Sequence, residues 1–374
     1  MRIADYEGSG NLLIIDGHSI SYRAYYGMPA LSAPNGVRTG AVNGFLSMLL
    51  RIIKETEPEY IAAAFDRERP DNRIGIYQGY KSNRDKMPED LISQMELIYE
   101  LMDILKIPVI SFKGWEADDA IGSLAKSAEK HNINCVIASS DMDLLQLVSP
   151  TIKVMKLKKG TSDFDYYGEN EVEYEYGFPP KGIIEHNALA GDSSDNIPGG
   201  KGIGDKTAKQ IIADFGSAEN AINSIHMIKG RTAKLIEASK ESILMSRKLA
   251  EIKTDLPAEI TEDMKSGEID SDKLAEFLKR LGMDKMLGKL FPDIKISSPK
   301  LSPGFTENSG ISSGNDIFVI FDGEYAIMEN GDRIKPENLG SYACGKRVCS
   351  SDISHTLRGT PIWLFHEPGV AQMA

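Results

Sequence analysis

Nine carboxylate side chains stand where they could bind metal ions together. Three of them fall within four residues at the start of a predicted helix, where a bound cation would relieve their mutual repulsion. A single acid in a first helical turn has a simpler explanation, since it interacts favourably with the helix dipole. The whole set, placed largely at strand ends, is explained better by a metal centre. The nine residues are Asp16, Asp66, Glu116, Asp118, Asp119, Asp141, Asp143, Asp192 and Asp195.

The ligand type indicates which ions and which reaction such a centre would serve. Carboxylate oxygens without His or Cys partners select Mg²⁺ or Mn²⁺ over zinc. Two such ions roughly 4 Å apart suit phosphodiester hydrolysis, because one activates water and the other stabilises the leaving oxygen. A phosphatase of the haloacid dehalogenase type is excluded, since it needs an aspartate two residues after Asp16, where this chain has His18.

Three short apolar runs, residues 12–16, 61–66 and 135–141, each end in an aspartate. Runs of this kind are typical of strands buried on both faces. An intervening helix is indicated by apolar residues on one face, namely Leu91, Met95, Ile98, Met102 and Leu105. The alternation predicts an α/β domain with a doubly wound, mainly parallel sheet over residues 11–175. Ligands of such sheets bind beyond the carboxyl ends of the strands, so the three aspartates should meet at one edge.

The rest of the chain divides by composition. Residues 1–10 are expected to form a flexible N-terminus, and residues 176–290 a helical, more polar domain. The following segment, residues 291–316, contains a stretch rich in Ser, Pro and Gly and reads as a linker. Residues 317–374 begin with a pattern that predicts a hairpin around residues 322–323 and can form a small, marginal domain.

Composition limits the class of protein. The chain has 374 residues, 41% hydrophobic and 26% charged, as in an ordinary soluble globular protein. It has no apolar run long enough for a membrane span and no signal-peptide core, so a cytoplasmic location is expected. Its three cysteines form no pair of CxxC motifs, which argues against zinc and disulfides. The net charge of −12 argues against nucleic-acid binding until the local motifs are considered.

A glycine hairpin, residues 196–209, could hold a phosphate. Gly202 and Gly204 immediately precede a helix predicted over about 205–214, and glycines allow backbone N–H groups to approach an anion at a helix start. A bare GxG is weak evidence, but the longer string follows the helix–hairpin–helix pattern of binding without base readout. Its candidate DNA contacts are Gly199, Lys201, Gly202, Gly204, Lys206, Thr207 and Lys209.

A basic segment, residues 67–86, carries interleaved tyrosines, as proteins that bind single strands do. An ordinary solvated, partly disordered stretch explains its composition equally well. Nearer the first strand, Arg23 lies about two helical turns from Asp16 and could hold a phosphate or form a surface salt bridge. The candidate DNA contacts outside the hairpin are Tyr22, Arg23, Arg73, Tyr80, Lys81 and Arg84.

Six motifs occur in the order found in the 5′-nuclease domain of bacterial DNA polymerase I, and the chain resembles that family over residues 11–290. The wider family includes bacteriophage 5′-nucleases and eukaryotic flap endonucleases with a PIN-like fold. The motifs are residues 16–18 (DGH), 65–66 (FD), 80–81 (YK), 114–119 (GWEADD), 141–143 (DMD) and 191–199 (GDSSDNIPG).

The resemblance implies a metal-dependent 5′→3′ exonuclease and flap endonuclease that acts on DNA with a 5′ end or flap and on RNA primers. It implies a first metal cluster at Asp16, Asp66, Glu116, Asp118 and Asp119, and a second at Asp141, Asp143, Asp192 and Asp195. Lys81 and Arg84 match residues that steady the scissile phosphate, and Tyr80 matches a contact to unpaired nucleotides. The glycine hairpin matches a duplex-binding element that often holds K⁺ through backbone carbonyls. Nothing in the sequence indicates more than a monomer.

Two departures from the family pattern stand out. Met142 occupies the place of a lysine that commonly separates the paired aspartates. Residues 317–374 resemble only the opening of a 3′→5′ exonuclease-like domain, so polymerase activity is expected to be absent and the polymerase domain separate or missing. The alternative hypothesis is a catalytically inactive DNA-binding module of the same fold, against which the intact acidic set argues.

Overall fold

Six strands form the central sheet of the first of two units, Met1–Ile296 and Ser297–Ala374, into which this computed structural model divides. The structure describes residues 11–29, 31–66, 69–158, 164–267 and 269–291, and the backbone of six strands after residue 315. The sheet strands are β1 (Asn11–Asp16), β2 (Tyr60–Ala64), β3 (Val109–Ile110), β4 (Asn134–Ala138), β5 (Ile152–Leu157) and β6 (Phe164–Tyr167).

The strand order is β3-β2-β1-β4-β5-β6, and all pairs are parallel except β5 with β6. The predicted α/β fold with a mainly parallel sheet is confirmed. The three apolar runs recognised in the sequence are the three central strands, β2, β1 and β4. β1 lies between β2, which follows it in the sequence, and β4, to which the chain crosses over later. The carboxyl ends of β1 and β4 therefore form the switch point at which ligands of such sheets bind.

Helices cover both faces of the sheet. The helices of this part of the chain are α1 (Gly17–Gly27), α2 (Gly40–Thr56), α3 (Asp71–Ile76), α4 (Glu89–Ile104), α5 (Ala117–Lys130) and α6 (Glu169–Tyr176). Leu13 and Ile15 of β1 face a core that includes residues of α1, α2 and α4, whereas Leu12 and Ile14 face a second core that includes α5. The five apolar positions predicted to form one face of α4 are all buried.

The described part of the chain from residue 176 to 291 is helical and contains no strand, as its pattern predicted. The helices are α7 (Gly182–Ala190), α8 (Asp205–Phe215), α9 (Ala218–Asn223), α10 (Gly230–Ala250), α11 (Ser271–Arg280) and α12 (Asp284–Leu290). Ile211 of α8 and Ile236 of α10 join the core on the α5 face, whereas Leu274 and Phe277 of α11 join the core on the opposite face. Among the described helices, none combines the length and apolar character needed to cross a membrane.

The second unit contains two small sheets. Their strands are β7 (Asp316–Phe321), β8 (Ala326–Met328), β9 (Arg333–Ile334), β10 (Arg347–Ser350), β11 (Trp363–Glu367) and β12 (Val370–Met373). In the first sheet, of order β10-β7-β8-β9, the antiparallel pairing of β7 with β8 confirms the predicted hairpin strands. The second sheet pairs β11 with β12. The predicted turn at 322–323, most of the predicted linker and the first ten residues lie outside the described residues.

Candidate active site

Asp16 ends β1 and faces the crevice between β1 and β4. Its Oδ1 accepts a hydrogen bond of 3.0 Å from the Ser19 backbone N–H, so the same carboxylate caps α1. Its Oδ2 accepts a hydrogen bond from the hydroxyl of Ser139, which directly follows β4. Burial, reinforced by the nearby charges of Asp141 and Asp66, raises the pKa of Asp16 to about 7. A buried carboxylate with such neighbours is costly to ionise unless a cation is present.

Asp66 joins the second strand to the helix that carries the acidic motif. It follows β2, and its Oδ1 accepts a hydrogen bond of 2.7 Å from the backbone N–H of Ala117, the first residue of α5. Its own backbone N–H donates to Nδ1 of His18 over 3.1 Å. The side chain remains 40% exposed, so its second oxygen is accessible from the crevice.

Asp118 and Asp141 complete a group that we call the carboxylate edge, defined as Asp16, Asp66, Asp118 and Asp141. Burial raises the pKa of Asp118 well above its usual range, and the charges of Asp141 and Asp16 add to the effect. Burial likewise raises the pKa of Asp141. The predicted convergence of the three strand-end aspartates therefore occurs. Its excess of negative charge fits divalent cations, which would offset the repulsion.

A second group, the aspartate triad, consists of Asp143, Asp192 and Asp195. One carboxylate oxygen from each lies within 4.8 Å of the other two, a spacing that suits a shared cation. Burial and the charges of Asp141, Asp192 and Asp195 raise the pKa of Asp143 to about 7. Asn187 of α7 donates a hydrogen bond of 2.8 Å to Asp143, a contact that had no recognisable signal in the sequence.

Glu116 and Asp119 are arranged differently from the other carboxylates. Asp119 is fully buried and accepts hydrogen bonds from Arg73 and from the backbone N–H groups of Glu116 and Lys253. Arg73 also donates to Glu116 over 2.8 Å and is only 6% exposed. Arg73 is thus bonded inside the protein rather than exposed toward DNA, and both oxygens of Asp119 accept from protein donors.

The structure also places Tyr80 inside the protein. Tyr80 is only 5% exposed, and its hydroxyl lies 2.8 Å from Oε2 of Glu116 and 3.0 Å from Oδ2 of Asp195. The ring is therefore enclosed by protein rather than exposed for stacking on a nucleotide. The hydroxyl instead bridges carboxylates that the sequence assigned to different metal clusters.

Lys81 and Arg84 lie against the same carboxylates. Lys81 pairs with Glu116, and its Nζ is 3.4 Å from Oδ2 of Asp195, while Arg84 pairs with Asp195. Burial alone would lower the pKa of Lys81, but the charges of Glu116 and Asp195 outweigh it and raise the pKa. Lys81 adopts a left-handed backbone with φ of +53°, and its N–H donates to the carbonyl of Asp195 over 2.9 Å. Both cations therefore stand beside the predicted metal ligands.

Tyr22 and Arg23 lie on α1 next to this crevice. Tyr22 is partly exposed and stacks on the exposed ring of Tyr26, with 6.3 Å between the ring centroids. Arg23 donates to the backbone carbonyl of Lys158 over 2.7 Å and also contacts the Ser140 hydroxyl. Neither contact is the surface salt bridge considered from the sequence, and a contact of Arg23 with a phosphate stays a prediction.

The glycine hairpin has the backbone that its sequence predicted. Gly199 and Gly202 have positive φ angles of +61° and +84°, and Gly204 is the N-cap residue of α8. Lys201 and Lys206 are exposed. The remaining predicted contacts, Thr207 and Lys209, lie in the first two turns of α8, where Lys209 pairs with Asp205 over 3.2 Å. The exposed start of α8 is therefore available to an anion.

A mainly parallel sheet that brings carboxylates to its carboxyl edge, beside a helix–hairpin–helix element, is an arrangement that fits a nuclease. Two family models match the chain. Residues 11–177 match the 5′-3′ exonuclease N-terminal resolvase-like domain, and residues 178–272 match the 5′-3′ exonuclease C-terminal SAM fold. The chain belongs to the 5′-3′ exonuclease family, whose members are hydrolases that act on DNA.

Curated relatives are bacterial DNA polymerases I. The chain is 38% identical to that of Bacillus caldotenax over 298 residues, which are 79% of this chain and 34% of the relative. It is 38% identical to that of Bacillus subtilis (strain 168) over 337 residues, 89% of this chain and 38% of the relative. The chain thus spans about a third of the length of these relatives.

Solved structures share the fold. T5 5′-exonuclease with bound zinc matches with a TM-score of 0.54 and 20% identity, over 76% of this chain and 97% of that one. The bacteriophage T5 flap endonuclease in a pseudo-enzyme–product complex with DNA and metal ions matches with 0.55 and 20%, over the same fractions. The catalytic core of Rad2 with DNA substrate matches with 0.53 and 18%, over 78% and 94%.

Proposed function

We propose that this chain is a metal-dependent 5′→3′ exonuclease and 5′-flap endonuclease that hydrolyses phosphodiester bonds in DNA. The observation that carries the proposal is the carboxylate edge, where four aspartates from β1, β2, α5 and the β4 end share one crevice. The raised pKa of Asp16 means that ionising this carboxylate costs free energy in the metal-free protein, and a bound cation would offset that cost. The complexes of T5 5′-exonuclease with zinc and of the T5 flap endonuclease with DNA and metal ions, which share the fold, support the same proposal.

The ions in this proposal are Mg²⁺ or Mn²⁺, two or more in number. Asp16, Asp66, Asp118 and Asp141 would hold one position, and the aspartate triad another. When bound, such ions supply an activated water and stabilise negative charge at the phosphate. Glu116 contributes by placing Lys81, and Asp119 contributes through Arg73, so neither needs to contact an ion directly.

The chain's own side chains position the substrate. Lys81 and Arg84 pair with Glu116 and Asp195, and from these positions they would donate hydrogen bonds to the scissile phosphate. Duplex DNA would lie on the glycine hairpin, held by the backbone N–H groups that open α8 and by Lys201 and Lys206. Such contacts grip the phosphate backbone without reading bases, so binding should be salt-sensitive and independent of sequence.

The wider setting of this activity is also part of the proposal. The substrates would include RNA primers annealed to DNA, cleaved during replication and repair in the cytoplasm by a monomer. The catalytic domain would be residues 11–175 and the DNA-binding domain 176–290, with K⁺ held at the hairpin. A linker, residues 291–316, would lead to a segment at 317–374 that resembles the opening of a 3′→5′ exonuclease-like domain.

The test uses a 5′-labelled flap duplex with the full chain in Mg²⁺, beside an EDTA control. Asp118→Asn should lower the single-turnover cleavage rate by at least about 10²-fold, the loss expected when a group that stabilises the transition-state charge is removed. The matched control is Asp103→Asn, which changes an exposed aspartate on α4 that belongs to neither the carboxylate edge nor the aspartate triad. No cleavage by the unaltered chain, with flap binding retained, would instead support the inactive binding module.

A further inference from the structure

Arg73 is the most completely bonded charged side chain near the site. Its Nε donates to the carbonyl of Leu249 over 3.0 Å, and its Nη2 donates to Oδ1 of Asp119 over 2.8 Å and to the carbonyl of Glu251 over 3.2 Å. Its Nη1 donates to Oε2 of Glu116 over 2.8 Å and to Oδ2 of Asp119. A guanidinium has five N–H donors, and here each has an acceptor.

These five hydrogen bonds join three segments that are remote in sequence. Arg73 lies on α3, within the basic segment, Glu116 and Asp119 open α5, and residues 249–251 end α10. A lysine at position 73 could not make the same set, because its donors share a single nitrogen and cannot form the planar fork. The geometry at this junction therefore requires arginine, and its burial removes it from contact with DNA.

Glu116 connects Arg73 to the residues on the substrate side of the site. The oxygen of Glu116 that accepts from Arg73 also accepts from the Tyr80 hydroxyl, while its other oxygen pairs with Lys81. The guanidinium carbon of Arg73 lies 6.0 Å from the centroid of the Tyr80 ring. Arg73 therefore fixes, through one carboxylate, the two residues of the basic segment that stand beside the carboxylate edge.

We propose that Arg73 is a positioning residue for cleavage. Arg73 holds Glu116 in place and bonds it to the end of α10. Through Glu116 it also keeps Tyr80 and Lys81 beside the carboxylate edge. This inference rests on the proposed nuclease function. It replaces the DNA contact that the sequence indicated for Arg73 with an internal role.

A purely structural ion pair would make the same contacts, so the test must separate positioning from folding. Arg73→Lys keeps the positive charge but loses the planar set of N–H donors. The double variant Arg73→Met with Asp119→Leu removes both buried charges together and leaves neither unpaired. The matched control is Arg280→Lys, which alters the exposed ion pair between Arg280 and Glu100.

We expect both altered proteins to fold, as judged by circular dichroism, and to bind the flap duplex with a Kd within about threefold of the unaltered chain. Their single-turnover cleavage rate at saturating Mg²⁺ should fall by about 10²-fold, as expected when a reacting group is misplaced by about 1 Å. Arg280→Lys should cleave normally. Unchanged cleavage in a folded double variant would overturn the proposal, and so would failure of both variants to fold, which would make Arg73 structural only.

A second measurement does not depend on activity. Trypsin cleavage after Lys81, followed by mass spectrometry, should accelerate by about tenfold in Arg73→Lys because the basic segment loses its anchor, while the Arg280→Lys protein matches the unaltered chain. Equal protection of Lys81 in all proteins would overturn the positioning role. If the unaltered chain fails to cleave the flap, the proposed function fails, and trypsin protection alone still decides whether Arg73 anchors the segment.

Discussion

The side-chain amide of Asn187 donates a hydrogen bond of 2.8 Å to Oδ1 of Asp143, so α7 orients one member of the aspartate triad. Asn187→Ala removes a hydrogen bond to a charged acceptor, a contact that contributes about 1.5–3 kcal/mol. We expect the Mg²⁺ concentration for half-maximal cleavage to rise by roughly tenfold, with little change in the rate at saturating Mg²⁺. A Mg²⁺ titration of flap cleavage measures this. An unchanged titration would mean that Asp143 is oriented without Asn187.

Divalent cations should stabilise the protein more at high pH than at low pH. The folded-state pKa values of Asp16 and Asp143 are raised from 3.8 to about 7, so the folded protein binds protons that the unfolded chain has released. Without cations, the stability present below about pH 4 is lost as the pH rises through about 7, by at most roughly 4 kcal/mol per group.

Bound Mg²⁺ favours the ionised carboxylates and should remove this loss. The measurement is the urea unfolding free energy in EDTA and in Mg²⁺ across this pH range, with Asp16→Asn as the comparison. The Mg²⁺ effect should grow with pH in the unaltered chain and less so in the variant. An effect of equal size at pH values well below and above 7 would contradict the prediction.

Tyr80→Phe distinguishes the observed hydroxyl bridge from base stacking. The phenylalanine keeps the ring but loses the hydroxyl that contacts Glu116 and Asp195. We expect cleavage to slow by about 10-fold or more, corresponding to a lost hydrogen bond to a charged group of about 1.5–3 kcal/mol, while flap affinity stays constant. Full activity in Tyr80→Phe would instead favour a role for the ring alone. Single-turnover kinetics beside fluorescence anisotropy provide both quantities.

Gly199 is irreplaceable for a reason visible in its backbone. Its φ is +61°, and an added Cβ would lie 2.3 Å from the backbone nitrogen of Gly191. Gly199→Ala should lower the free energy of unfolding by more than about 2 kcal/mol, since the left-handed conformation alone costs roughly 1–2 kcal/mol. Gly204→Ala is the matched control, because its φ is −103° and a Cβ there meets nothing within 4 Å. Equal urea midpoints for the two variants would contradict the prediction.

Lys206 should contribute to DNA affinity in a way that does not depend on base sequence. It is exposed at the start of α8, where a phosphate would lie in the proposed complex. Lys206→Gln should weaken binding to flaps of different sequence equally and reduce the slope of log K against log salt by about 0.9. Anisotropy titrations at several KCl concentrations measure the slope, with the exposed α11 variant Lys279→Gln as control. A sequence-dependent loss would point to base contacts instead.

The central part of the fold could be predicted because its signals are local. β1, β2 and β4 are continuous apolar runs, as strands covered on both faces must be, and each is followed closely by an aspartate. The outer strands lacked this signal. β3 has only two residues, and β5 carries lysines within its apolar pattern. Edge and near-edge strands need less apolar sequence because fewer of their side chains are enclosed.

The sequence predicted that the strand-end aspartates meet at one edge of the sheet, but not which neighbouring side chains are buried against them. The aspartates that end strands do converge, since parallel strands deliver their carboxyl ends to one edge. Arg73 and Tyr80 looked like surface residues because their segment is polar, and their burial depends on Glu116 and Asp195, which are remote in sequence. Such partnerships arise from tertiary packing, for which a single sequence carries no periodic signal.

The hydrogen bonds from Arg73 to the carbonyls of Leu249 and Glu251 span 176 and 178 residues of chain. During translation, the aspartates of β1, β2 and α5 are made long before these two acceptors exist. Local helices can form as they emerge, but contacts of such long sequence separation must wait for the later segment. The ribosome therefore completes the glycine hairpin before the hydrogen bonds that anchor the basic segment can form, and the catalytic arrangement cannot be complete until α10 has been made.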